Sequence, residues 1–311
     1  MRAVSISEFG ATPELTDMPV PEPGPREVRV QLEAAGVNPF DKRIADGFLD
    51  GKMPHDFPLI LGVDGAGTVV ETGAEVTRFA AGDRVAGKFL AGRAGHGAFA
   101  EYAVLPEDAA LVRIPDGIAT MAAAAVPTAG VTAQDLVDAA KIEPDEIVLI
   151  VGATGGVGVF LVQLSNLAGA HVIATARGAA ADQMNRLGAA ETIDYTQGSV
   201  AEQVAVLYPD GVDVLFDLVS PPEQLTELTA LVRDGGNVFS TIGSADQPAL
   251  LDRGIKGGNF QSNGAAPELA RLLRRVSDGD VVIPIESTVP LEQAAAVLAK
   301  PGARGKTVLS I

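Results

Sequence analysis

Residues 147–151 (IVLIV) are an unbroken apolar run. Gly152-Ala153-Thr154-Gly155-Gly156-Val157-Gly158 follows at once and opens the apolar-faced stretch 157–167. A continuous apolar run of this length reads as a strand buried on both faces, which occurs in parallel sheets covered by helices. The glycines then make a tight turn into a helix. The alternation continues. Residues 171–176 (HVIATA), 212–216 (VDVLF) and 237–242 (NVFSTI) read as further strands, with a helix over 222–232. Alternating strands and helices predict a doubly wound α/β unit with a parallel sheet.

The flanking sequence has another texture. Residues 27–32 (EVRVQL) alternate charged and apolar side chains, and 67–71 (GTVVE) and 84–86 read similarly, as half-buried strands do. Pro23-Gly24, Gly82-Asp83 and Pro115-Asp116-Gly117 punctuate them. This first third predicts a barrel-like β unit. An alanine-rich segment, 121–126, leads through Pro127-Thr128-Ala129-Gly130 into a helix over 131–140. After Phe260 come a helix over 267–276, a stretch 281–285, a short helix 291–298 and a last strand 307–311. Periodicity leaves open whether this tail joins the α/β unit or returns to the β unit.

Length and charge narrow the function. With 311 residues the chain has room for about two domains. Lys and Arg total 23 against 40 Asp and Glu, a net charge of −17, which disfavours nucleic acid and anionic lipid surfaces as partners. There is no cysteine, which removes disulfides, thiolate nucleophiles and thiolate metal sites. The three histidines, His55, His96 and His171, have no carboxylate at ligand spacing, so no metal site is expected. The opening residues MRAVSISEFG lack the charge and apolar core of a signal peptide, and no apolar run approaches a membrane span. A cytoplasmic location is expected.

The turn after the first strand carries the most chemistry. Gly152, Thr154, Gly155, Gly156, Val157 and Gly158 sit where a backbone must approach a pyrophosphate closely, and the helix behind offers free N–H groups and the positive end of its dipole. The second strand decides the cofactor. An acid at its end binds a ribose 2′-hydroxyl, and an arginine nearby accepts a 2′-phosphate. Here it ends Thr175-Ala176-Arg177-Gly178 with no acid, so the expected cofactor is NADPH, the alternative being that Arg177 is a solvated loop arginine. A second glycine string, Gly302-Ala303-Arg304-Gly305-Lys306-Thr307, is no phosphate loop, having two residues where four are needed and leading into a strand. None of Tyr102, Tyr195 or Tyr208 has a lysine four residues on, so the Tyr-x-x-x-Lys pair of short-chain dehydrogenases is absent.

Segments 35–41 (AGVNPFD), 61–70 (LGVDGAGTVV), 82–87 (GDRVAG), 97–104 (GAFAEYAV), 126–133 (VPTAGVTA), the 152–158 turn and 305–309 (GKTVL) occur together in one order. In that order the chain resembles the zinc-independent quinone oxidoreductase (zeta-crystallin-like) branch of the medium-chain dehydrogenase/reductase superfamily. The resemblance implies a GroES-like β-barrel catalytic domain, 1–122 completed by 261–311, and a Rossmann NADP-binding domain, 123–260. It implies a cofactor held in the cleft between the two. The zinc-dependent relatives carry a cysteine within the segment matching 36–39, a His-Glu pair where this chain has Val63-Asp64, and a cysteine-rich lobe. All three are missing here.

Without a metal, the acceptor must already be electrophilic, as a quinone or an α,β-unsaturated carbonyl is. Asn38 matches the family's asparagine and is the first candidate donor to the acceptor oxygen, although Asn-Pro is also an ordinary turn. Asp41 orients Asn38 or nearby backbone, or caps a helix. Thr128 matches a position beside the nicotinamide ring, or makes a local turn bond. Tyr195 matches a position near the adenosine phosphate, where it would assist Arg177, or covers the core as a strand-end tyrosine. Val219, Ile242 and Phe260 match positions lining ribose and nicotinamide, or are core residues. The best-known quinone reductases have tyrosines just after the position of Asp41. Here 42–49 (KRIADGFL) has none, and Arg43 with Phe48 or Leu49 fills that neighbourhood.

The leading expectation is an NADPH-dependent reductase of quinones or activated enones. A reductase of enoyl thioesters or polyketide intermediates, and a non-catalytic NADP(H)-binding redox sensor or crystallin-like protein, are the alternatives. A homodimer is expected through the sheet edge, placed at 237–242.

Overall fold

The computed structural model describes residues 1–300 and 304–311. The chain divides into two compact units, Met1–Val131 with Gly264–Ile311, and Thr132–Asn263.

The second unit is built on the strand that the apolar run predicts, Ile147–Val151, whose residues 148–150 are fully buried. Each such side chain contributes roughly 1.5–3 kcal/mol by leaving water. Around it lies a six-stranded parallel sheet in the order Glu191–Ile193, His171–Thr175, Ile147–Val151, Val212–Asp217, Val232–Ser240, Lys256–Asn259. Ranked along the chain this is 3-2-1-4-5-6, the doubly wound dinucleotide-binding order. Helices Gly158–Leu167, Ala179–Arg186, Val200–Leu207 and Pro222–Thr229 connect the strands.

Several expectations are corrected here. The strand expected at 237–242 runs from Val232 to Ser240, and it is paired on both sides. The sheet edge is therefore Lys256–Asn259, a strand with two positive-φ glycines that gives no side-chain pattern to read. The helix expected over 222–232 stops at Thr229, because Val232 is needed to open the next strand. In the tail, a strand forms over Ile285–Pro290, and 291–298 divides into a 3-10 turn and a short α-helix.

The first unit contains a seven-stranded sheet. Its path runs Ile285–Pro290, Lys306–Ser310, Glu27–Val37, Asp64–Thr72, Arg84–Lys88, Leu111–Arg113, with Tyr102–Pro106 also pairing Glu27–Val37. A four-stranded sheet lies in the same unit, in the order Glu14–Asp17, Arg2–Ile6, His55–Ile60, Ala94–His96. The alternation of 27–32 buries Val28, Val30 and Leu32, which pack with Val69, Val85, Phe99 and Leu111. The last strand answers what periodicity left open. Lys306–Ser310 pairs antiparallel with Glu27–Val37, so the tail completes the β unit. Of the glycine string at 302–307, Gly302 and Ala303 lie outside the described residues, and Lys306 and Thr307 open this strand.

Candidate functional site

In the Thr132–Asn263 unit, the turn after Ile147–Val151 is fixed by its glycines. Gly152 has φ +87°, and a Cβ there would lie 2.9 Å from Val219. A Cβ on Gly158 would come within 2.4 Å of the Ala153 carbonyl oxygen. The Gly155 N–H bonds Gly152 O at 3.0 Å, and the Gly152 N–H donates to the Thr175 hydroxyl at 3.0 Å. Thr175 thus ties the turn to the end of the second strand, a role that sequence reading missed. Helix Gly158–Leu167 has Val157 at its N-cap, which has no oxygen to cap first-turn N–H groups. The Val159 and Phe160 N–H groups bond Gly155 O and Val157 O instead, and the positive end of the helix dipole faces the turn. Thr154, Gly155, Gly156 and Val157 are all partly exposed in the turn.

Beyond the second strand, the Arg177 guanidinium lies 5.8 Å from the centroid of the Tyr195 ring. Both side chains are exposed, with Tyr195 at 46%, so the core reading of this tyrosine does not describe it. The Asp194 carboxyl is held below its usual range, mainly by hydrogen bonds from Thr196, with Arg177 a smaller contributor. Val219 and Ile242 are apolar yet 59% and 49% exposed at the carboxyl ends of their strands. Core residues would not be, and an apolar ligand surface would cover them. Phe260 is half-buried edge-on against Phe239, and its N–H bonds Ser240 O at 2.8 Å. Asp217, also unforeseen, is buried at the end of Val212–Asp217, where it accepts from the Ser220 N–H, and burial raises its pKa.

The other candidates gather in the first unit, where sheet register brings them together. Gly36 stands opposite Asp64 and Thr307 opposite Val37, so one step along the second ladder Lys306 faces Asn38. Gly36 carries no Cβ because one would lie 2.2 Å from Ala124 O. Asn38 precedes helix Pro39–Ala45 as its N-cap. Its backbone N–H donates to Asp41 Oδ2 at 2.7 Å, and the Val63 N–H donates to Asp41 Oδ1 at 2.8 Å. Asp41 therefore braces two pieces of backbone. Burial pushes its pKa up to about 7, against these N–H groups that favour the charged form.

The Asn38 amide is held at both ends. Its Nδ2 donates to Asp64 Oδ2 at 2.9 Å, and its Oδ1 accepts from the Lys306 ammonium at 2.6 Å. The second Nδ2 contact, to Gly36 O, is 3.4 Å, the outer limit of a hydrogen bond. Asp64 is fully buried and also accepts from Thr128, at 2.9 Å from its N–H and 2.6 Å from its hydroxyl. Lys306 is 2% exposed and donates further to Val37 O at 3.1 Å. Burial lowers its pKa, while Asp64 and Asp41 oppose that shift. Sequence reading singled out Asn38, Asp41 and Thr128 but missed Asp64 as their acceptor and Lys306 as their cation. The available signal was one lysine opening the last strand, ahead of the apolar Val308 and Leu309.

Past Asp41, the Arg43 guanidinium and the Lys52 ammonium lie 3.9 and 4.0 Å from the centroid of the Phe48 ring, with Phe40 edge-on to Phe48. Leu49 is buried.

An open α/β sheet with a glycine turn at its first crossover, in one chain with a β unit completed by the tail, defines a nucleotide-binding dehydrogenase-type protein. The family model for the alcohol dehydrogenase GroES-like domain matches residues 24–116, and that for zinc-binding dehydrogenases matches residues 187–309. A quinone oxidoreductase of Pseudomonas aeruginosa is 34% identical over 95% of this chain and 94% of its own. A chloroplastic quinone-oxidoreductase homolog of Spinacia oleracea is 38% identical over 63% of this chain, and the match spans 61% of that relative's length. The match to a chloroplast envelope homolog of Arabidopsis thaliana spans 65% of its length. Among solved structures, an NAD-dependent alcohol dehydrogenase aligns over 100% of both chains with a TM-score of 0.88 and 32% identity. The quinone oxidoreductase of Coxiella burnetii aligns over 100% of this chain and 99% of its own, with a TM-score of 0.86 and 26% identity. The chain belongs to the quinone oxidoreductase-like medium-chain dehydrogenases/reductases.

One family description implies zinc, so the donor set bears testing. The Asp64 carboxylate already takes three hydrogen bonds, and its neighbours are an amide and an ammonium. Among the described residues no group of three or more His, Cys, Asp or Glu side chains could hold a metal. This cluster does not fit a zinc ion, which needs three or four donors free to coordinate. Among the described residues no helix is long and apolar enough to cross a membrane.

Proposed function

We propose that the chain is an NADPH-dependent, zinc-independent oxidoreductase that reduces a quinone or an activated α,β-unsaturated carbonyl. The observation that carries this reading is the pairing of Arg177 with Tyr195 beyond a second strand that ends without an acid. A guanidinium and a phenol hydroxyl suit a 2′-phosphate, and the carboxylate that would repel it is missing from the strand end. A mycobacterial relative, 25% identical, was solved with NADPH, which agrees.

When bound, NADPH supplies the hydride from its nicotinamide ring. The 152–158 turn and the uncapped helix behind it hold the pyrophosphate. Val219, Ile242 and Phe260 cover ribose and ring. The Thr128 hydroxyl donates its hydrogen bond to Asp64, and its oxygen would serve as an acceptor for the ring carboxamide. Asn38 keeps one N–H on Asp64, and the second, weakly held by Gly36 O, is the donor to the acceptor oxygen as negative charge grows there. Hydride plus one solvent proton converts a quinone to a hydroquinone. Among the described residues the site offers hydrogen-bond donors rather than a Lewis acid, so an acceptor that is already electrophilic suits it.

We assign a homodimer to the chain, paired through the outer strand Lys256–Asn259, which leaves one row of backbone groups without a strand partner. A steady-state screen of NADPH oxidation against quinones, enals, enones and enoyl thioesters tests the activity. Turnover highest with quinones or enones supports it. Tight NADPH binding with no turnover overturns it in favour of a redox sensor, and a preference for thioesters points to an enoyl reductase.

A further inference from the structure

The polar cluster of the first unit contains a charge that the proposed chemistry does not use. Lys306 sits at the start of the last strand, almost wholly buried, and reaches the cluster only because that strand pairs with Glu27–Val37. A buried ammonium is expensive unless it is paired and hydrogen-bonded. Two of its partners are hydrogen-bond acceptors, Asn38 Oδ1 and Val37 O. The ionisable groups acting on it are Asp64, from the strand on the far side of Glu27–Val37, and Asp41, from helix Pro39–Ala45.

An asparagine amide can sit either way round, and only its partners decide which. Lysine can only donate and a carboxylate can only accept. Lys306 on one side and Asp64 on the other therefore allow a single orientation, oxygen to the ammonium and nitrogen to the carboxylate. That orientation also fixes where the second Asn38 N–H points. Asp64 in turn accepts from the Thr128 hydroxyl, so the ammonium, the amide and the hydroxyl form one chain of bonds.

We propose that Lys306 is a positioning residue, a built-in cation that locks the Asn38 amide and, through Asp64, the Thr128 hydroxyl in the arrangement the reaction needs. This rests on the reading of Asn38 and Thr128 as site residues. The same charge accounts for the poor fit to zinc, since the protein's own cation already occupies the cluster.

The test uses wild type, Lys306→Met, which keeps length and removes charge, and Lys306→Ala with and without added ethylammonium. Three readouts are taken: melting curves, kcat and KM for NADPH with the best quinone or enone, and the side-chain amide NMR signals of Asn38. In Lys306→Met the Asn38 signals should shift and exchange faster with water. Its kcat should fall at least tenfold, with KM for NADPH changed less than threefold. Ethylammonium should restore at least fivefold of the lost kcat in Lys306→Ala, saturably, where sodium does not. A Lys306→Met protein with unshifted Asn38 signals and kcat within twofold of wild type would overturn the proposal. So would a kcat loss that only tracks the unfolded fraction. If both variants fail to fold, the wild-type Nζ nitrogen signal of Lys306 decides. A slowly exchanging ammonium upholds the proposal and a neutral amine overturns it. If wild type turns over no acceptor, the enzyme reading fails by itself, while the Asn38 signals still judge the positioning role.

Discussion

Replacing Asp64 with asparagine changes the cluster by one charge and almost no volume. Asp64 Oδ2 accepts from two donors that cannot turn away, Asn38 Nδ2 and the Thr128 N–H, both at 2.9 Å. Oδ1 accepts from the Thr128 hydroxyl at 2.6 Å, and a hydroxyl can rotate and accept instead. The new amide therefore keeps its oxygen at the first position and sets its NH2 against Thr128 Oγ1. Hydrogen bonding survives in reversed polarity, and the main loss is electrostatic. Lys306 would keep only Asp41 as a nearby acid. Asp64 and Lys306 make no direct ion pair and meet through the Asn38 amide, so the loss should be about 1–3 kcal/mol. Asp64→Ala should cost about 1–3 kcal/mol more, since it leaves buried donors unpaired. Urea unfolding at pH 7, followed by far-UV circular dichroism, measures both. NADPH affinity should change little in either variant, because the glycine turn and Arg177 belong to the other compact unit. A loss below about 1 kcal/mol for Asp64→Asn would refute the reasoning, because so small a cost matches a surface substitution rather than the loss of a buried charge.

Three further outcomes are expected. Arg177→Ala should reduce the preference for NADPH over NADH by about 1.5–3 kcal/mol, the scale of a hydrogen bond to a charged group, as read by fluorescence titration of each cofactor. Equal affinities in the unmutated protein would contradict the assignment. Activity should survive exhaustive dialysis against chelator, and recovery of lost activity specifically by zinc would show a metal site after all. Sedimentation velocity should give the mass of two chains, and a monomer at all concentrations would remove the Lys256–Asn259 edge from use.

The α/β unit was readable in the sequence because its first strand is apolar on both faces and its turn needs glycine at Gly152 and Gly158. Strands without side-chain pattern were not readable. Glu191–Ile193 has three residues, and Lys256–Asn259 contains two glycines whose backbone, not whose side chains, does the pairing. Missing that last strand is what moved the sheet edge to the wrong place. The site divides the same way. The glycine turn, Arg177 and Tyr195 follow from local rules of one fold, and Asn38, Asp41 and Thr128 from family resemblance. Asp64 and Lys306 become partners only through the registers of three strands drawn from different parts of the chain, which no local window contains.

Hydride transfer from NADPH to the acceptor is the central claim, and isotope tracing tests it most directly. The protein is mixed with NADPH carrying deuterium at both nicotinamide C4 positions and an α,β-unsaturated ketone, and the product is examined by mass spectrometry and NMR. The account predicts one deuterium on the β-carbon of the saturated ketone, with the α-proton drawn from water, and a slower reaction with NADH. Oxidation of the cofactor with no deuterium in the product would contradict it, since that result means electrons leave the ring by a route other than direct hydride transfer.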